Sequence, residues 1–234
     1  MQLVFDSNYQ GEQNFVLNKE ESSHVVRVMR MKEGEKLFLS NGSGYFFEAE
    51  ILEAHPSHCV LNVLSKQEGE DKRDFNIHLA IAPTKNIDRI EWLVEKATEI
   101  GVDEITFLLC EHSERKVVNT QRLEKIVISA MKQSLKSFKP IINPIIDFKN
   151  FVAKVKADYK LLAHCSGEDR RLIKDICSPK ASYLILIGPE GDFSEKEILL
   201  AKEKDFAFIS LGTQRLRTET AGLYSLSSLH YINQ

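Results

Sequence analysis

Five short apolar runs constrain most of what this 234-residue chain can become: residues 77–82, 105–109, 160–164, 183–187 and 206–211. Each is long enough for a buried strand and far too short to span a bilayer. Helical patterns lie between several of them. In the first, Ile87, Ile90, Val94, Ala97 and Ile100 recur at three- or four-residue steps, and Gly101 stands where a helix closes on a left-handed residue. Strands that alternate with helices imply a largely parallel sheet covered on both faces, because the crossovers that parallel strands require also shield the sheet.

Upstream the period changes. Phe47, Ala49 and Ile51 alternate with Glu48 and Glu50, as in a strand with one buried face. Residues 36–40 precede them across Asn41-Gly42-Ser43-Gly44, a glycine-bearing hairpin loop, and a short helix fits residues 20–29. The expectation is a small β-rich module of barrel type. Residues 67–74 carry six charges in eight positions and no large apolar side chain, so they read as a linker or exposed turn. The expected domains are residues 1–72 and 73–234.

Hydrophobic residues make up 43% of the chain and charged residues 28%, enough to bury a core without disulfide or metal staples. A net charge of −3 excludes a wholly basic nucleic-acid binder but not a local basic face. Residues 113–139 hold seven basic side chains against two acidic ones, which suits either a phosphate backbone or a solvated helix face. Cys59, Cys110, Cys165 and Cys177 are widely spaced without a CxxC pair and read as reduced, mostly buried thiols. His55, His58 and Cys59 lack a second ligand pair, so no metal site is expected. The N-terminus lacks the basic and apolar regions of a secretion signal, and cytoplasmic residence with no membrane partner is expected.

Two loops carry the chemistry. The run 183–187 leads into Gly188-Pro189-Glu190-Gly191-Asp192-Phe193, after which Ser194 and Glu197 form a capping-box pattern. Ligands of open α/β sheets bind beyond the carboxyl ends of strands, where this loop falls. Its glycines allow close backbone approach to a ligand, and Pro189 stiffens the turn. The second loop, Gly212-Thr213-Gln214-Arg215-Leu216-Arg217, leads into a helix expected from Thr218. Two arginines before a helix start are electrostatically odd, since that end already bears about half a positive charge. A carboxylate such as Glu190 or Glu219, or a bound anion, should answer them. Neither loop has the GxGxxG spacing of a dinucleotide site.

Ile187-Gly188-Pro189-Glu190-Gly191, followed by Leu211-Gly212 and Leu216-Arg217-Thr218-Glu219-Thr220-Ala221, resembles the paired signature of the SPOUT-superfamily methyltransferases. The RsmE-type 16S rRNA uridine-N3 methyltransferases are the nearest match. His24-Val25-Val26-Arg27-Val28-Met29-Arg30, Lys96-Ala97-Thr98-Glu99-Ile100-Gly101, His112-Ser113-Glu114-Arg115 and Ala130-Met131-Lys132-Gln133-Ser134 resemble further motifs of that family. Asp192 replaces a third glycine, Lys136 a common arginine, and Leu123 a common tryptophan. The resemblance implies an N-terminal PUA-like β-barrel and a C-terminal α/β domain with a trefoil knot. It also implies a homodimer and methyl transfer from S-adenosylmethionine to a uridine of 16S rRNA in the small ribosomal subunit.

On that basis Ile187, Gly188, Pro189, Glu190, Gly191, Leu211, Gly212, Leu216, Arg217, Thr220 and Ala221 are expected to bind the cofactor. Uracil N3 carries a proton that must leave, so a base and a cation are needed beside it. Arg217 is the expected anion stabiliser, with Glu190 or Glu219 as base. His24, Arg27, Arg30, Arg115, Lys132, Gln133 and Lys136 are the RNA candidates. Arg27 and Arg30, three apart, are expected on one helix face, where they grip phosphates or pair with Glu20, Glu21 or Glu33. The competing readings are a non-catalytic ribosome assembly factor and a SPOUT enzyme acting on a ribose 2′-oxygen.

Overall fold

The computed structural model describes residues 2–165 and 170–234. The chain divides into two compact units, Met1–Lys72 with Ile128–Lys139, and Arg73–Val127 with Pro140–Gln234.

The first unit contains β1 (Leu3–Phe5), β2 (Asn14–Val16), α1 (Lys19–Ser23), β3 (Lys36–Ser40), β4 (Tyr45–Glu53) and β5 (Val60–Glu68). Its sheet runs β1-β3-β4-β5-β2 and curls into a half-barrel. The alternation in β4 works as read: Phe47, Ala49 and Ile51 join a core with Val4, Tyr9, Leu17, Leu37, Leu39 and Leu61, while Glu48 on the other face pairs with Lys36 at 3.1 Å. Two local expectations change. Gln67 and Glu68, read as linker, continue β5 and pair with Phe46 and Tyr45; their side chains stay in solvent, and the ladder to β4 satisfies their backbone. The helix of residues 20–29 is α1 followed by a π-turn over His24–Val28, closed by Met29 N–H donating to the His24 carbonyl at 2.9 Å. Arg30 lies beyond it with φ 57°, so Arg27 and Arg30 do not share a helix face.

The second unit contains β6 (Asn76–Ile81), α2 (Ile87–Ile100), β7 (Glu104–Leu109), α3 (Thr120–Ser134, whose second half belongs to the first unit) and β8 (Ile141–Asp147). Then come α4 (Phe148–Val152), β9 (Tyr159–Ala163), β10 (Arg171–Leu172), β11 (Ser182–Ile187), α5 (Glu195–Glu203), β12 (Ala207–Ser210) and α6 (Thr218–Ile232). The sheet order is β10-β12-β9-β11-β6-β7-β8, and every pairing is parallel. The five apolar runs are β6, β7, β9, β11 and β12. Leu79, Ala80, Leu161, Leu162, Leu184, Ile185 and Leu186 are fully buried, as strands covered on both faces require. Asn86 caps α2 by accepting from Asp88 N–H, and Gly101 closes it at φ 108°. Gly222 brings α6 close to the sheet: a Cβ there would lie 3.1 Å from Leu93 and 3.2 Å from Ile81.

All four cysteines are free, but only Cys59 and Cys110 are buried; Cys177 is partly covered and Cys165 exposed. His55 and His58 stack at 3.8 Å, and Cys59, next in the chain, is fully buried.

Candidate functional site

The register sets the site. Ile187, at the end of β11, lies opposite both Ile81 of β6 and Ala163 of β9, and Ile209 of β12 lies opposite Ala163. The loops leaving β11 and β12 therefore flank the end of β9, beyond the carboxyl ends of the strands, which is where an open parallel sheet offers a ligand crevice. A cavity of about 1120 Å³ opens there. Ile187, Gly188, Pro189, Glu190, Gly191, Leu211, Gly212, Leu216, Arg217 and Ala221 line it, whereas Thr220 does not.

Close packing shapes the first loop. A Cβ on Gly188 would meet the Phe193 ring at 3.1 Å, and one on Gly191 would meet His112 Cβ at 3.2 Å. Asp192, in the place of a third glycine, has φ 64°. Aspartate tolerates that left-handed conformation better than most residues. Its carboxylate also ties two strand ends together, accepting from Cys165 N–H at 2.8 Å and from Phe193 N–H at 2.8 Å. The capping box forms: Ser194 accepts from Glu197 N–H, and Glu197 accepts from Ser194 N–H at 2.8 Å. In the second loop, Gly212 has φ 107°, and a Cβ there would meet no atom within 4 Å, so backbone conformation alone demands glycine.

Arg217 occupies the N-cap position of α6 without a side-chain capping bond. Among the described residues no carboxylate lies within ion-pair distance of Arg215 or Arg217. Glu190 Oε1 instead accepts from Lys85 N–H at 3.0 Å. Glu219 is 6% exposed, with Oε1 3.8 Å from Arg89 Nε and Oε2 without a partner. It does not line the cavity, although Arg89 does. The start of α6, with Glu219 in its first turn, and two arginines unpaired among the described residues thus stand beside the cavity, an arrangement that can take an anionic group.

Sequence reasoning missed the far wall. His164 and Cys165 follow β9 and line the cavity with Arg170. The His164 ring packs edge-on against Phe208 at 4.9 Å, and neither of its nitrogens has a hydrogen-bond partner. Burial lowers its pKa, Asp192 opposes that shift, and Arg170 adds to it. A residue ending a short strand, with its neighbours supplied by distant loops, leaves no periodic signal.

The RNA candidates separate. Arg27 and Arg30 are exposed, and Gln133 is exposed on α3; His24 and Lys136 are half-buried. Lys132 is held in a largely buried pair, 2.6 Å from Glu21. Arg115 donates from Nε to the Thr84 carbonyl at 3.0 Å and from Nη2 to the Lys85 carbonyl at 2.6 Å. These two cations are occupied by the fold itself.

Comparison with known proteins gives a consistent picture. Residues 71–230 match the model of an RNA methyltransferase domain, and residues 17–64 that of an RNA methyltransferase PUA domain. A relative from Borreliella burgdorferi, ribosomal RNA small subunit methyltransferase E 2, is 32% identical and covers 97% of this chain and 95% of its own length. The crystal structure of a probable rRNA-methyltransferase from Porphyromonas gingivalis superposes with a TM-score of 0.93 at 40% identity, covering 100% of this chain and 98% of the other. A ribosomal RNA small subunit methyltransferase E from Neisseria gonorrhoeae, solved bound to S-adenosyl methionine, does so with a TM-score of 0.90 at 25% identity, covering 100% and 98%.

Proposed function

This chain belongs to the RNA methyltransferase family, with a PUA domain ahead of the methyltransferase domain, and from that membership we propose that it transfers a methyl group from S-adenosylmethionine to N3 of a uridine in 16S ribosomal RNA. The observation that carries the reading is the convergence of the β11 and β12 loops on one cavity.

The residues present suit the cofactor. A cavity of about 1120 Å³ accommodates a ligand of this size with room for a base beside it. Gly188, Gly191 and Gly212 keep side chains out of the loops, and the unpartnered His164 ring offers an acceptor or donor that a ligand would satisfy. When bound, S-adenosylmethionine supplies an electrophilic methyl group. The protein's work is then to orient the acceptor nitrogen in line with it and to favour loss of the N3 proton. Arg217, exposed at the cavity and unpaired among the described residues, is suited to stabilise the uracil anion. Glu190 is a carboxylate at the cavity beside Asp192; one of its oxygens holds Lys85 N–H, leaving the other for a proton, whereas Asp192 holds Cys165 N–H and Phe193 N–H. Glu219, buried against Arg89, serves better to hold the start of α6.

The same reading includes RNA contacts from His24, Arg27, Arg30, Gln133 and Lys136, a homodimer of the C-terminal domain, the knotted chain path and action in the cytoplasm. Exposed Tyr224 and Tyr231 on α6 and Trp92 on α2 support the dimer, and no described helix is long and apolar enough to cross a membrane.

Mass mapping of nucleosides in small-subunit RNA from a deletion strain tests the function. One N3-methyluridine should disappear, return with the wild-type gene, and fail to return with Arg217→Ala expressed at equal level. Persistence of that nucleoside in the deletion strain overturns the proposal. RNA binding without binding of S-adenosylmethionine would identify an assembly factor instead.

A further inference from the structure

His112 does not line the cavity, yet it touches the loop that does. Its Nδ1 lies 3.1 Å from the Gly191 carbonyl oxygen and 3.0 Å from that of Asp192. Carbonyls only accept, so Nδ1 carries the hydrogen and shares it between them. The ring can lie this close because residue 191 is glycine, whose missing Cβ would sit 3.2 Å from His112 Cβ. On the opposite flank Asp192 holds Cys165 N–H, and its own N–H donates to the Pro189 carbonyl at 2.9 Å. His112 is itself braced. The preceding Glu111 N–H donates to Glu197 Oε1 at 2.9 Å, and Ser113 Oγ accepts from Cys110 N–H at 3.0 Å.

We propose that His112 is a positioning residue which, by donating Nδ1–H to the Gly191 and Asp192 carbonyls, holds the loop Gly188–Asp192 in its cofactor-binding shape. This rests on the assignment of that loop to S-adenosylmethionine. An unrestrained loop must lose backbone freedom when ligand binds, and that loss opposes binding. A latch that fixes the loop beforehand removes part of the opposition and appears as affinity. Because the latch lies outside the cavity, it acts equally on ground state and transition state. Its loss therefore raises KM for the cofactor and leaves kcat in place.

His112 is exposed, so substitutions there spare the core. His112→Phe keeps a ring against Gly191 and removes the donor; His112→Asn places an amide N–H where Nδ1 stands. Calorimetry with S-adenosylmethionine on the full chain, beside thermal melts and cofactor-dependent kinetics, tests the proposal. His112→Phe should bind about five- to tenfold more weakly, as expected for the loss of one hydrogen bond of ordinary strength. Its melting temperature and kcat should be unchanged, and His112→Asn should recover most of the affinity. Wild-type affinity in His112→Phe, or no recovery in His112→Asn, overturns the latch while leaving the function standing. A wild-type protein that binds no S-adenosylmethionine overturns the functional reading and this one with it.

Discussion

An arginine at a helix N-terminus opposes the helix dipole, and among the described residues no carboxylate lies within ion-pair distance of Arg217, although Glu219 stands in the first turn. Replacing it with alanine should leave folding stability unchanged or slightly higher while methylation falls by about a hundredfold or more, on the order of an oxyanion-stabilising donor. Parallel melts and single-turnover assays check both halves, and near-normal turnover would remove it from the chemistry. Two histidines make a second residue-scale prediction. Burial lowers the pKa of His164 and of His78 from the usual value near 6.5, with Asp192 and Glu104 respectively opposing it. Below about pH 6.5 the unfolded chain takes up protons that the folded chain refuses. Stability is therefore complete above that value and declines as pH falls through it. The melting temperature should drop between about pH 7 and pH 5.5, and His164→Phe should make that drop shallower. An unchanged slope would mean His164 does not titrate as its burial requires. That Arg217 stands at the start of α6 was legible in the sequence, because a helix was expected from Thr218. His164 was not, and His112 was visible only within a family-like motif, since their contacts with Gly191, Asp192 and Phe208 come from far away along the chain.

Elements were easier to read where one local rule decided them. The capping box of α5 follows from Ser194 and Glu197 alone, and Ser194→Ala should cost about 1 kcal/mol in chemical denaturation. Glu197→Ala should cost more, about 3 kcal/mol, because the same carboxylate also holds Glu111 N–H across to the β7 loop. Equal losses for the two variants would show that this second bond contributes nothing. The strand β8 was missed for a definite reason. Pro144 interrupts its apolar run, yet the ladder to β7 steps over it, pairing Thr106 with Asn143 and Phe107 with Ile145. An edge strand with one partner tolerates such a break where a central strand would not. The π-turn at His24–Val28 was also invisible, since its periodicity differs from an α-helix by too little over five residues. The β11 and β12 loops, by contrast, could be found from glycine placement and strand ends, but their meeting at β9 required the register.

At the scale of the molecule, the first unit is assembled from two separated stretches of chain. Residues 128–139 supply Lys132 to the buried Glu21, Ser137 to the Asp71 carboxylate, and Phe138 to a bridge with Ser43. A fragment ending at residue 72 strands those partners. Leaving Glu21 buried and uncompensated is costly, by roughly 3–5 kcal/mol for a broken buried pair. The isolated fragment should unfold without a cooperative transition, and tethering residues 128–139 to it should restore one; a sharp transition in the short fragment would contradict this. No reading of charge or period along residues 67–74 could reveal that dependence, because the missing partners sit on a helix two strands further on.

The order of strands in the large sheet also dictates a schedule. β6 is made early, but its neighbour β11 ends only at Ile187, opposite Ile81. During synthesis one hydrogen-bonding edge of β6 must wait for most of the chain to emerge, open to pairing with any other strand nearby. The cavity between the β11 and β12 loops therefore has no nascent form. Four-fifths of the chain must be made before the cavity can exist at all.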